Sequence, residues 1–236
     1  MSRAFEEIDH QSTALGDISL RRRLEPTLQV DVYEVKLGDE FLMSSLFTAT
    51  EEAVAHLGRT ALTGTELDVV VGGLGLGHTA KAALDDDRVA RLQVIEALPP
   101  VSGWHRDHRV PLGAELTADH RCTLIEGDFF AMIDEGIEDS EDGPMSFDAI
   151  LVDIDHTPHH LLDPGHAHFY GPLGFDRVRA QLRPAGVFAL WSDDPPDTEF
   201  LALMEDSFSG VVGHVVEFAN FYTGGVSACT VYVATR

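Results

Sequence analysis

Leu67-Asp68-Val69-Val70-Val71-Gly72-Gly73-Leu74-Gly75-Leu76-Gly77-His78-Thr79-Ala80 is the stretch whose reading decides the fold. An apolar strand runs directly into alternating glycines and then into a helix-forming segment, the way a doubly wound α/β domain builds a nucleotide site. Gly73, Gly75 and Gly77 remove side chains where the backbone must turn and a ligand must approach the main chain. The helix that follows, His78 to Leu84, turns its unpaired N–H groups toward the crevice. Glu96 ends the next apolar run, Arg91 to Glu96, about twenty residues on, where a carboxylate accepts from both hydroxyls of a ribose. The pattern points to an adenosine-like ligand.

Working outward, the chain alternates strands and helices after Thr65 with short connections, as expected of a mainly parallel sheet covered on both faces. Strands are predicted at 67–72, 91–96, 121–126, 147–153, 186–191, 212–218 and 226–234. Helices are predicted near 77–84, 99–109, 128–135, 172–182 and 197–207. Asn220 to Gly225 is a short turn-rich link, so the last two strands should form an antiparallel hairpin. The expected fold class is thus α/β: a doubly wound, seven-stranded, mainly parallel Rossmann-like sheet finished by an antiparallel C-terminal hairpin.

A small antiparallel N-terminal sheet is expected from Gly16 to Ser45, where Ile18, Leu20 and the run Val30 to Val35 alternate with polar neighbours. A linking helix follows at Thr48 to Leu57, capped by Thr48 or Thr50, with Glu51 and Glu52 in its first turn. The domain organisation expected is residues 1–60 as this appendage and 61–236 as the nucleoside-binding domain. Asp134 to Gly143 is acidic, and a mobile solvated loop is expected there.

Composition limits the function classes. At 236 residues with 44% hydrophobic content, the chain is long enough for one well-buried domain plus an appendage, and it contains no apolar run of bilayer-spanning length. Met1 to His10 reads as neither a signal peptide nor an anchor, so the expected location is cytoplasmic. Forty acidic against sixteen basic residues give a net charge of −24, which argues against nucleic acid or anionic membrane as partner. The acidity suits a cationic substrate, and it equally suits solubility or a salty cytoplasm. Arg21-Arg22-Arg23 is read as a solvated or ion-paired strand edge, and Cys122 and Cys229 as buried, inert thiols.

Ligands of open α/β sheets bind beyond the carboxyl ends of the strands. After Glu96 those ends carry Gly127-Asp128-Phe129-Phe130 and Asp153-Ile154-Asp155-His156. Asp128 suits the exocyclic amine of adenine and also an N-cap, two compatible uses; Phe129 offers an apolar wall; Asp153 faces the position of a reacting group. His156, His159, His160, His166 and His168 crowd one segment, but their spacing matches no metal motif and Pro158 and Pro164 break it. A polar substrate-covering loop is expected there, without a metal, with Tyr170 contributing to the pocket. Asp193, after the fifth strand, adds charge near an amine or simply builds a turn.

The order Val71 to Gly77, Val94-Ile95-Glu96, Glu126 to Phe130 and Phe147 to Asp153 resembles the class I S-adenosylmethionine-dependent methyltransferase fold, and within it the chain is most similar to the spermidine synthases. His168-Phe169-Tyr170 followed by Gln181-Leu182-Arg183-Pro184-Ala185-Gly186-Val187 matches their post-catalytic stretch, and the likeness covers Gly16 to Val233. It implies S-adenosylmethionine or its decarboxylated form as cofactor, held by Gly73, Gly75, Gly77, Glu96, Asp128, Phe129 and Asp153. Departures bear on the reaction. Leu76 stands where that family carries an aspartate, Asp153-Ile154-Asp155-His156-Thr157-Pro158 replaces Asp-Ser-Thr-Asp-Pro, and the Tyr-His-Glu element has no clean counterpart in Thr50 to His56.

Transfer from a sulfonium asks the protein for in-line alignment and a base. Asp153 is the expected catalytic carboxylate, with Asp155 or His156 as alternative, and Tyr170 and Asp193 as substrate contacts. The function expected is aminopropyl transfer to a small, cationic, amine-containing acceptor. Small-molecule methyl transfer and a non-catalytic nucleoside-binding protein are the alternatives. A homodimer is compatible with the sequence.

Overall fold

The computed structural model describes residues 5–139 and 143–236. The glycine stretch sits at the centre of a seven-stranded sheet made of β5 (Leu67–Gly72), β6 (Val89–Glu96), β7 (Cys122–Glu126), β10 (Phe147–Val152), β11 (Leu182–Ser192), β12 (Ser209–Asn220) and β13 (Gly225–Thr235). The strand order is β12-β13-β11-β10-β5-β6-β7. Pairs among β11, β10, β5, β6 and β7 are parallel, while β13 runs antiparallel to both β11 and β12. The chain leaves β5 toward one edge and returns through β10 toward the other, so the crevice at the switch point opens between the ends of these two strands. There Asp153 N–H donates to the Gly72 carbonyl at 2.9 Å.

The near-continuous apolar runs of β5 and β10 are buried on both faces, as a parallel sheet requires. One face packs under α1 (Ala49–Thr60), α2 (His78–Leu84) and α3 (Pro99–Arg106), with Val54, Val71, Leu76, Trp104 and Leu151 in a common core. The other packs under α5 (Phe129–Glu135), α6 (Pro172–Gln181) and α7 (Thr198–Glu205), around Phe130, Phe169, Phe175 and Phe188. Gly58 of α1 has no Cβ to keep it from the sheet; one added there would lie 3.1 Å from Leu151.

The N-terminal sheet is a four-stranded antiparallel meander: β1 (Phe5–Thr13), β2 (Gly16–Glu25), β3 (Val30–Leu37) and β4 (Glu40–Ser44). The sequence predicts its last three strands and misses β1. That strand is mostly polar because it is an edge, fastened by Arg22–Glu6 at 2.6 Å and docked on α3 through Trp104 Nε1–H to Asp9 Oδ2 at 2.7 Å. Arg21, Arg22 and Arg23 are ion-paired as expected, the first and last with Glu34.

Other departures are local. A short helix α4 (Gly113–Ala118) offers only Leu116 to the core and so carries no apolar periodicity. The helix α3 ends at Arg106, three residues before the predicted end, and His108 just beyond it takes a left-handed φ of +57°. Asp134 to Gly143 is not wholly a solvated loop: Asp134 and Glu135 close α5, Ile137 is buried with its N–H on Gln181 Oε1, and β8 (Glu138–Asp139) pairs with β9 (Gly143–Pro144). Residues 140–142 of that expected loop lie outside the described residues. Thr48 is the N-cap of α1, but its hydroxyl donates to Glu52 Oε1 at 2.8 Å rather than accepting from the helix.

Candidate active site

Beyond the ends of β5, β6 and β10 lies a cavity of about 130 Å³, and a second of about 460 Å³ adjoins it, sharing Leu15, Ala97, Leu98 and His166. The floor is the glycine turn. Gly73, Gly75 and Gly77 have φ of +93°, +47° and +93°, which L side chains rarely adopt. Their missing side chains are required first by the protein itself. A Cβ on Gly73 would lie 2.1 Å from the Asp153 carbonyl oxygen, one on Gly75 2.2 Å from Met43 Cε, and one on Gly77 2.6 Å from Leu116 Cδ1.

Glu96 is 8% exposed and holds the turn in place. Its two oxygens accept from the backbone N–H of Leu74 at 3.0 Å and of Leu98 at 2.8 Å, while burial raises its pKa. The backbone N–H groups of Gly75 and Ala97 also approach the carboxylate. Asp128 caps α5, its Oδ1 accepting from Phe130 and Ala131 N–H, and its Oδ2 lies 3.6 Å from His166 Nε2. It lines the wider cavity, so the cap leaves one oxygen facing the space where the sequence reading put a base. Phe129 is 2% exposed and lies so close to Gly72 that a Cβ there would come within 2.7 Å of its ring. The imidazole of His166 stacks on Phe130 at 4.1 Å.

The wall beside the turn carries charge. Asp153 lines the cavity with the Thr79 hydroxyl donating to its Oδ2 at 2.6 Å. Glu51, from the first turn of α1, lines the same cavity and accepts from the Thr50 hydroxyl at 2.8 Å. Burial pushes the Asp153 carboxyl up to about 6. Burial, with the Asp153 charge adding to it, pushes Glu51 up to about 7. Among the described residues neither carboxylate has a cationic partner, so the pair awaits a positive charge or holds protons near neutrality. His156 also lines the cavity, its Nε2 3.1 Å from Glu40 Oε1, an oxygen that His160 Nε2 approaches to 3.2 Å.

Not every residue singled out from sequence reaches this space. Asp155 is 3% exposed and accepts from the Tyr170 hydroxyl at 2.6 Å and from Leu162 N–H at 2.7 Å. That buried pair ties down the loop after β10 instead of lining either cavity. Asp193 is exposed, and its N–H donates to the His156 carbonyl at 2.7 Å. Among the histidines, His159 pairs with Asp197 and His168 with Asp134, and no set of three or more His, Cys, Asp or Glu among the described residues is arranged to hold a metal ion.

Sequence reasoning missed Glu51, Met43 and Trp191, all of which line the cavity. In the sequence Glu51 reads only as a charge complementing the helix dipole. The signal lay in topology, because a helix joining the N-terminal sheet to β5 must pass the crevice. Trp191 sits one residue from the end of β11, two positions before Asp193.

No protein family model matches the chain. Solved structures do. A spermidine synthase from Thermotoga maritima superposes with a TM-score of 0.70 at 16% identity, covering 97% of this chain and 72% of that one. A spermidine synthase in complex with the transition state analogue AdoDATO gives 0.73 at 17% identity, covering 97% and 73%. The chain therefore has the spermidine synthase-like, class I methyltransferase fold that its sequence resembles.

Proposed function

We propose that this protein is a spermidine synthase-like transferase that moves an alkyl group from S-adenosylmethionine or its decarboxylated form to a small amine. The observation that carries this reading is the Glu51–Asp153 pair lining the cavity beside the glycine turn, two carboxylates with raised pKa and no cationic partner among the described residues. The donor set fits such a nucleoside. Acceptor-only carboxylates at Glu96 and Asp128 suit ribose hydroxyls and an exocyclic amine, and Phe129 and Phe130 suit a purine face. When bound, the nucleoside supplies a carbon made electrophilic by its sulfonium.

The chain's own contribution is position and charge. Asp153, fixed through its N–H on Gly72 and its Oδ2 on Thr79, takes the proton of the attacking amine and stabilises the charge that develops on nitrogen. Glu51 holds the cationic acceptor against it. Aminopropyl transfer is the first reading. Methyl transfer is the second, favoured by Leu76, whose side chain is 2% exposed in the core where the resembled family places an aspartate.

Isothermal calorimetry with S-adenosylmethionine and with its decarboxylated form tests both. Tighter binding of the decarboxylated nucleoside supports aminopropyl transfer, and preference for S-adenosylmethionine supports methyl transfer. Binding of neither removes the cofactor assignment.

A further inference from the structure

His105 of α3 is fully buried, and its imidazole lies beneath the glycine turn. Its Nε2 is 2.9 Å from the Gly75 carbonyl oxygen. A carbonyl only accepts, so the proton is on Nε2. Nδ1 is buried and has no hydrogen-bond partner among the described residues. Burial lowers the pKa of the ring, the Gly75 carbonyl opposes that shift, and nearby His78 reinforces it. The neutral ring leaves only an acceptor lone pair unpaired at Nδ1, whereas a charged ring would bury an unpaired N–H.

Two glycines make room for this side chain and its backbone. A Cβ on Gly77 would lie 2.9 Å from His105 Cε1, and one on Gly113 would lie 2.7 Å from the His105 carbonyl oxygen. Gly77 thus lets the ring, and Gly113 the His105 backbone, approach the turn and α4 closely. No other residue on α3 reaches the turn by a side-chain hydrogen bond among those described.

The consequence appears on the far side of one peptide plane. In a trans peptide the carbonyl and the following N–H point in opposite directions. Holding the Gly75 carbonyl toward α3 therefore turns the Leu76 N–H the other way, where it meets Met43 Sδ at 3.0 Å. Met43 comes from β4 and lines the cavity. A thioether is a weak acceptor, poorer than any ligand oxygen.

We infer that His105 is a positioning residue for the glycine turn: it fixes the Gly75 carbonyl so that the Leu76 N–H points at the cavity-lining Met43, whose thioether is its partner until a ligand oxygen takes its place. The ligand part of this inference rests on the nucleoside reading above. The positioning part does not.

Backbone amide exchange by NMR and calorimetry on the same variants separate the two. In His105→Phe the Leu76 amide should exchange about tenfold faster while Val70 and Val71 in β5 stay protected, and the nucleoside that the wild type binds should bind about tenfold more weakly. His105→Gln places an N–H donor near the same point and should restore both to within about threefold. Met43→Leu should speed Leu76 exchange and leave nucleoside affinity equal or higher.

Unchanged Leu76 exchange in His105→Phe overturns the inference, as does equal loss of protection in β5, which marks a merely structural role. Weaker nucleoside binding in Met43→Leu makes Met43 a ligand contact and overturns its part. Should His105→Phe not fold, His105→Asn, whose shorter amide falls short of the carbonyl, takes its place. If the wild type binds neither nucleoside, the transferase reading falls and exchange at Leu76 alone decides on His105.

Discussion

The two walls of the cavity are built on opposite principles. Beyond the ends of β6 and β7 the carboxylates are anchored by main-chain N–H groups: Glu96 by Leu74 and Leu98, Asp128 by Phe130 and Ala131. Beside the glycine turn Glu51 and Asp153 take hydroxyl bonds from Thr50 and Thr79, and both are pushed up toward neutrality by burial. The first wall is organised before any ligand arrives. The second stores unfavourable charge that a cation would relieve, which is where chemistry on an amine would be placed.

The largest effect is expected where the charged wall meets the reacting atoms. Asp153→Asn removes the base while keeping shape and the Thr79 contact, so kcat should fall by about 10²- to 10³-fold with nucleoside affinity largely kept. Steady-state kinetics beside calorimetry checks this. A non-catalytic binding protein would show the same affinity in parent and variant and turnover in neither, and the contrast between the walls would lose its catalytic meaning.

The organised wall should break through geometry. In Gly73→Ala the new Cβ meets the Asp153 carbonyl oxygen at 2.1 Å at a φ of +93°. A loss of about 3 kcal/mol in unfolding free energy is expected, read by denaturant titration. The same substitution shifts Asp153, so it joins the two walls rather than separating them.

These contrasts explain what the sequence displayed. The glycines, Glu96, Asp128 and Asp153 follow from a local rule, that a strand end in a parallel sheet opens on the crevice, and all six were legible by counting along single strands. The sheet itself was legible because apolar runs such as Val69-Val70-Val71 and Ala149-Ile150-Leu151-Val152 have no other stable home. Glu51, Met43 and Trp191 come together from α1, β4 and β11, and their meeting depends on how far each element is rotated about its axis. No short-range pattern encodes that. Asp155 and Tyr170 present the reverse case: they have the residue types of a site, but bury their polar atoms against each other.

Tyr170→Phe tests that last distinction. It leaves Asp155 Oδ2 buried without its 2.6 Å donor, and should cost about 2 kcal/mol of stability. Since neither residue lines the cavities, kcat/KM of the folded variant should stay within about threefold of the parent. A far larger kinetic loss at unchanged melting temperature would move Tyr170 back among the substrate contacts.

The smallest effect, and the one that most sharpens the contrast, concerns Glu51 and pH. Its carboxyl is pushed from 4.5 up to about 7 in the folded chain. Between these values the folded state binds a proton that the unfolded state has released, so the contribution of Glu51 to stability is highest below about pH 4.5 and falls as pH rises toward 7. Glu51→Gln abolishes that slope. Because the side chain is only partly shielded from water, the variant should gain about 1 kcal/mol over the wild type at pH 8 and little at pH 5, measured as melting temperature against pH. A cationic ligand should flatten the wild-type profile in the same way, by favouring the ionised carboxylate, and should release protons as it binds near pH 7. A variant equally destabilised at both pH values would mean that Glu51 supports the fold, and the charged wall would reduce to Asp153 alone.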